Sequence, residues 1–99
     1  MINDKIQSAF NEQIKLEIES AYLYLSMAAY CHSINLDGFA NWLHVQSKEE
    51  MVHAMKFFDH IKDRGGRIHL QALTQPKAEW SSPKDVFKDA YKHEQLITS

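Results

Sequence analysis

The sequence predicts an all-α bundle of long helices with one long crossover connection. Apolar residues recur at steps of three and four over two long stretches, the period of a helix face and not of a strand. Helix start and stop residues punctuate the chain. A connection of about 17 residues separates the second helical stretch from the third, too long for the turn that joins antiparallel neighbours.

The first segment runs from about Asp4 to Cys31, with Ile6, Phe10, Gln13, Glu17, Ala21, Tyr24 and Ala28 sharing a face. At about 100° per residue they fall within roughly 80° of arc, so Glu17 is not on a solvated side. From Tyr22 to Tyr30 the helix is also apolar elsewhere, through Tyr22, Leu25, Ala29 and Tyr30. A helix apolar nearly all round is covered on both sides, which points to a second subunit.

The second segment starts at Asp37, a fitting N-cap, and ends at Arg64 before Gly65-Gly66, where glycine can take the left-handed conformation that closes a helix. Its stripe is Phe39, Leu43, Gln46, Glu50, His53, Phe57 and Ile61, with Glu50 and His53 at the centre. The third segment opens at Ser82-Pro83-Lys84-Asp85: serine caps, proline suits the first turn, and Asp85 completes a capping box. Phe87, Ala90, Tyr91, Glu94 and Thr98 then share a face, and the sequence stops at Ser99 with the helix pattern unfinished.

Between Gly65 and Ser81 the chain, if extended, reaches roughly 50 Å, enough to run the length of a helix of about 28 residues. The third helix then starts at the end opposite to where the second finished. Leu70, Leu73 and Trp80 are the expected anchors of this crossover.

Length and composition limit the function. Residues 1–99 make one domain, with 44% hydrophobic residues, 24% charged residues and a formal net charge of −2. There is no basic run to meet a phosphate backbone, so nucleic acid is excluded as a partner. The longest nearly apolar run, Ala21 to Cys31, is far shorter than the roughly 20 residues of a bilayer span, so no membrane association is expected. Met1-Ile2-Asn3-Asp4 begins no signal peptide, and the single cysteine, Cys31, suits a reducing compartment, which together give a cytoplasmic location.

The chemistry lies in Glu50-Met51-Val52-His53. Three residues is nearly one helical turn, so the carboxylate and the imidazole project to one side and can share a metal ion. Taken singly, a buried histidine is satisfied by a neutral hydrogen bond, and Glu17 by a salt bridge to Lys15 or Lys48 on a solvated rim. Taken jointly, Glu17, Glu50 and Glu94 interrupt three stripes near the point where the helices pass each other. Charges in a helical core need a partner, and a metal is the partner that serves all three.

The stretches Asn11-Glu12-Gln13-Ile14-Lys15-Leu16-Glu17, Tyr22-Leu23-Tyr24-Leu25-Ser26-Met27, Glu49 to Phe57 and Tyr91 to Thr98 carry a family resemblance. Over its whole length the chain resembles a bacterial non-haem ferritin. The resemblance implies a ferritin-like four-helix bundle with one long crossover, of which this chain supplies helices 1, 2 and the start of helix 3. It makes Glu17, Glu50 and His53 ligands of one iron, with Glu50 bridging to a second iron held by Glu94. Tyr24 becomes the tyrosine that hydrogen-bonds the centre and supplies an electron, and Glu49 part of an accessory iron site. The implied activity is oxidation of Fe(II) by dioxygen or peroxide at a di-iron centre, with storage of the ferric product in a homo-oligomeric shell. Carboxylates with one imidazole suit such a metal, and anionic oxygen ligands favour Fe(III) over Fe(II).

The departure from the family is the missing remainder of helix 3 and the fourth and fifth helices. An alternative function is therefore a truncated, non-catalytic helical oligomerisation module with a vestigial half metal site. Met51 stands where a haem-binding relative has its axial ligand, but its flanking residues resemble the non-haem branch. A small di-iron peroxidase built as a helix-pair dimer needs only two long helices, against the third capped helix here. His32, His44, His60, His69 and His93 have no partner at ligand spacing and read as surface or rim residues, with His60 and Arg64 complementing the negative end of the second helix. Cys31 and the methionines read as packing.

Overall fold

Asn3 opens the first helix, its side-chain oxygen accepting the Ile6 N–H at 2.9 Å and so satisfying one of the donors a helix start leaves without a partner. A computed structural model describes residues 2–98, with side chains as far as Leu96. It contains α1 (Asp4–Ser33), α2 (Asp37–Asp63) and α3 (Pro83–Thr98), with no strand among the described residues. No helix among them is long and apolar enough to cross a membrane.

α1 continues past Cys31, where the apolar spacing placed its end, because closure is a backbone event. Asn35 takes φ +64°, the Leu36 N–H bonds the Cys31 carbonyl at 2.8 Å, and the Asn35 N–H bonds that of His32 at 3.1 Å. Asparagine tolerates this left-handed position, so the helix closes there. α2 closes in the same way. Gly65 has φ +73°, the Gly66 N–H reaches the Ile61 carbonyl at 2.9 Å and the Gly65 N–H that of Lys62 at 3.1 Å. Gly66 is required for a different reason: a Cβ there would lie 2.7 Å from Gln7 Oε1 and 2.8 Å from the Ile2 side chain.

Asp37 is not the N-cap expected of it. Leu36 holds that position without a side-chain cap, and Asp37 is the first helical residue. Its carboxylate turns back across the short connection to His32 Nδ1 at 2.8 Å.

The crossover runs along α1 towards its C-terminal end, as its length required, but its anchors are polar. Gln7 Oε1 accepts the Arg67 N–H at 2.9 Å. The Asn11 side chain donates to the Arg67 carbonyl at 3.0 Å and accepts from the His69 N–H at 2.8 Å. Further along, Glu19 Oε2 accepts the Thr74 N–H at 2.8 Å and Ser26 donates to the Lys77 carbonyl at 2.6 Å. An extended segment offers unpaired backbone groups, and the polar side chains of α1 meet them. Leu70 and Leu73, expected as anchors, are 65% and 40% exposed, whereas Trp80 is buried as expected. Truncating Asn11 to alanine leaves two loop groups without their partner. It is expected to lower unfolding free energy by about 1–3 kcal/mol, measured by urea denaturation.

Trp80 brings the chain to the far end of the molecule and α3 then runs back against α1. Pro83 is its first residue, and the Ser82 carbonyl accepts the Asp85 N–H at 3.1 Å. The face expected to pack is displaced. Val86 and Ala90 are buried, while Phe87 and Tyr91 are largely exposed. Periodicity defines a stripe, but the width of the groove selects which edge enters it, and small residues allow the closer approach. Phe87 instead stacks on Phe39 of α2 at a centroid distance of 3.8 Å. Thr98, expected on the same face, and Ser99 lie outside the described side chains.

The core joins Tyr24, Met27, Ala28 and Cys31 of α1 to Ala40 and Leu43 of α2, Trp80, Val86 and Ala90. Tyr22, Leu25, Met51 and Met55 remain about half exposed on the other side of the α1–α2 pair.

Candidate metal centre

Midway along the α1–α2 pair, the helical period delivers three ligating side chains to one point. One ligand atom from each of Glu17, Glu50 and His53 lies within 4.8 Å of the others. His53 Nδ1 is 3.5 Å from Glu17 Oε2 and 3.6 Å from Glu50 Oε2. Both carboxylates are buried, each 4% exposed, so Glu17 is not the rim residue of a lysine salt bridge. The imidazole of His53 is 49% exposed, against its expected burial at the centre of the stripe, because no described element covers that side of α2.

Gln13, one turn before Glu17, donates to Glu17 Oε1 at 3.2 Å. The Oε2 atoms of Glu17 and Glu50 are buried without a hydrogen-bond partner. Two ionised carboxylates cannot bond each other, so a proton or a cation between them is required. Burial pushes Glu50 up to about 8, and the adjacent Glu17 carboxylate, then Glu94 and Glu49, add to the effect. The donor set of two carboxylates and one imidazole fits a divalent metal of the iron, manganese or zinc type.

Raised in the fold above its ordinary value near 4.5, Glu50 binds a proton that the unfolded chain has lost between these limits. The contribution of Glu50 to the stability of the metal-free protein is fully present below about pH 4.5 and is lost as pH rises through about 8. Metal binding runs the other way, since the ion displaces that proton. Thermal unfolding of the metal-free chain between pH 5 and 8.5, roughly the window of this titration, is expected to show a falling midpoint. A flat profile would remove Glu50 as the titrating group.

Glu94 approaches from α3 and accepts a hydrogen bond from the Tyr24 hydroxyl. Its charge also acts on Glu50. Tyr24 is fully buried, and burial, with the carboxylates of Glu94 and Glu50 adding to it, raises its phenol far above the ordinary range and keeps it protonated. Glu49 is exposed and stands outside the group of three.

His93, read as a surface or rim residue without a partner, is half-buried and has one. Its Nε2 meets the Ser20 hydroxyl, and its ring sits perpendicular to Tyr24 at 5.9 Å. Burial lowers its pKa and keeps the ring neutral. Ser20 and His93 are 73 residues apart, so spacing could not pair them, whereas Gln13 stood one turn from Glu17 in plain view. Arg64 Nη1 donates to His60 Nδ1 at 2.9 Å and to its carbonyl at 3.5 Å, so the two do meet at the end of α2.

Residues 7–99 match the model of the ferritin-like domain. The chain is 41% identical over 98 residues to the bacterial non-heme ferritin of Staphylococcus epidermidis and 38% identical to that of Staphylococcus aureus. Each alignment takes in 99% of this chain and 59% of the relative, so the chain spans about three-fifths of the length of these relatives. Among solved structures, an open-pore ferritin from the hyperthermophilic archaeon Archaeoglobus fulgidus superposes with a TM-score of 0.94 at 52% identity, covering 99% of this chain and 60% of that one. A closed form of the same ferritin, engineered by site-directed mutagenesis, gives 0.95 at 52% identity over the same shares. A bundle of three described helices with one crossover, a carboxylate and histidine cluster at its middle, and these matches lead to one conclusion: the chain belongs to the ferritin-like family.

Proposed function

We propose that the chain serves iron storage by oxidising Fe(II) at the Glu17, Glu50 and His53 cluster and passing on the ferric product. The observation that carries the reading is the pair of buried carboxylate oxygens without a hydrogen-bond partner, with an imidazole nitrogen within 3.6 Å of both. Glu17, Glu50 and His53 would hold one iron. Glu50 would face a second one together with Glu94, and Glu49 would offer an oxygen to an accessory site. Iron is the substrate here: two Fe(II) each lose one electron, and dioxygen with two protons becomes peroxide, or peroxide with two protons becomes water.

The chain's own residues have separable tasks. Gln13 holds one oxygen of Glu17 and leaves the other free for the ion. Tyr24 orients Glu94 through its hydroxyl and stays protonated beside the carboxylates of Glu94 and Glu50.

Assembly belongs to the same proposal. Tyr22, Leu25, Met51 and Met55 form an exposed apolar side that a second copy of the chain would cover, on the way to a homo-oligomeric shell. A cytoplasmic location fits the free, buried Cys31.

The test is Fe(II) oxidation in air, followed by ferric absorbance, for the chain and for Glu17→Gln and His53→Ala. The proposal expects a fast phase stoichiometric with protein, slowed about 10–100-fold in each variant. Oxidation no faster than in buffer, and equal in all three proteins, would favour a helical oligomerisation module with a vestigial site.

A further inference from the structure

His32 and His44 form a second cluster of ligating groups, at the α1–α2 connection. Glu17 and His32 lie fifteen residues apart on α1, so the cluster is about 22 Å from the carboxylate centre. Their Nε2 atoms face each other at 3.4 Å, and the ring centroids are 5.5 Å apart. That separation is beyond the roughly 2.7–3.2 Å of a good N–H hydrogen bond. It matches the span that a tetrahedral ion with bonds of ~2.0–2.1 Å sets between two nitrogen ligands, about 3.3–3.4 Å.

A second observation fixes the chemistry of one nitrogen. Asp37 Oδ1 stands 2.8 Å from His32 Nδ1, so the neutral ring that keeps its proton on Nδ1 directs its Nε2 lone pair at His44. A carboxylate behind a histidine is the arrangement that orients and strengthens a metal-bound imidazole. Asp37 would have capped α2 in the sequence reading, and its turn away from the helix start to His32 is what the pair requires.

We propose that His32 and His44, with Asp37 behind His32, form a second site for a borderline divalent cation such as Zn(II), Ni(II) or Cu(II). Imidazole pairs prefer these ions, whereas the carboxylate-rich centre suits iron. The ion binds through the two Nε2 lone pairs, with water completing its coordination on the exposed side. The site stands independently of the iron proposal.

Zn(II) alone is the probe. In the double variant Glu17→Gln/His53→Ala, which removes the first centre, calorimetric titration is expected to leave one Zn(II) per chain. Adding His32→Gln or His44→Gln is expected to weaken it at least about 10-fold, and Asp37→Asn about 10-fold through the lost orientation. Nitrogen chemical shifts of the His32 and His44 rings are expected to move on Zn(II) addition, at Nε2 in each. Unchanged helical circular dichroism in the variants separates lost ligation from lost folding. Zn(II) binding that survives both histidine substitutions, or ring shifts that do not move, overturns the proposal.

Discussion

Replacing Glu50 with glutamine is expected to weaken Fe(II) binding about 100-fold while making the metal-free protein more stable above about pH 8, where the parent's Glu50 has lost its proton. The substitution keeps the shape of the side chain, removes a carboxylate that burial disfavours, and puts a permanent N–H donor beside Glu17 Oε2, which otherwise depends on the Glu50 proton. Once the parent has lost that proton, keeping a donor on this buried oxygen contributes roughly 1–3 kcal/mol. The affinity falls because a neutral amide cannot serve as an anionic ligand, and because loss of one of three donors leaves the other two with the whole ion. Scanning calorimetry of the metal-free variant and Fe(II) titration under nitrogen measure the two effects on one sample. A lower midpoint together with unchanged affinity would mean that Glu50 is a structural residue. The opposite signs expected here mark a site where stability has been given up for binding.

Removing Trp80 is expected to have the largest effect on the fold. Its indole is 7% exposed, packs edge-on against Tyr30 at 5.5 Å, and donates from Nε1 to Asp89 Oδ2 at 2.7 Å. It joins the end of the crossover to α1 and α3 at once, so Trp80→Ala is expected to cost about 3–5 kcal/mol in urea denaturation. Trp80→Phe keeps most of the buried area and loses the hydrogen bond, which separates packing from polarity. The indole N–H is also the main reason that Asp89 lies below the ordinary carboxylate range, with Lys77 adding to it. A carboxylate depressed in the fold contributes stability above its unfolded value, near 3.8, that is lost as pH falls through the folded value. The acid limb of the stability profile is therefore expected to flatten in Trp80→Phe. A variant as acid-sensitive as the parent would assign that limb to other groups.

The helices were legible because their signals are local. Pro83 and Gly65 act on the backbone within one turn, and apolar spacing records which side of each long helix is covered. The carboxylate and histidine cluster was legible for the same reason: Glu50 and His53 share a face by the helical period alone, and Glu17 interrupts a stripe that faces theirs. Burial of both glutamates follows from that period.

What spacing could not supply were choices between two surfaces that each satisfy the same pattern. α3 offered Phe87 and Tyr91 on one edge of its stripe and Val86 and Ala90 on the other, and the closeness of α1 selected the small residues. The crossover offered Leu70 and Leu73, but the backbone groups of an extended segment took the polar side chains of Gln7, Asn11, Glu19 and Ser26 instead. His93 on Ser20 and His32 on His44 pair residues from different helices, where no period links one position to the other. By itself the sequence determined the helices and the face that carries the carboxylates and the imidazole, because these depend on contacts within a few residues. The tertiary structure alone decided which edge is buried, which imidazole stays open and which histidines meet, because these depend on how far apart two helix axes lie.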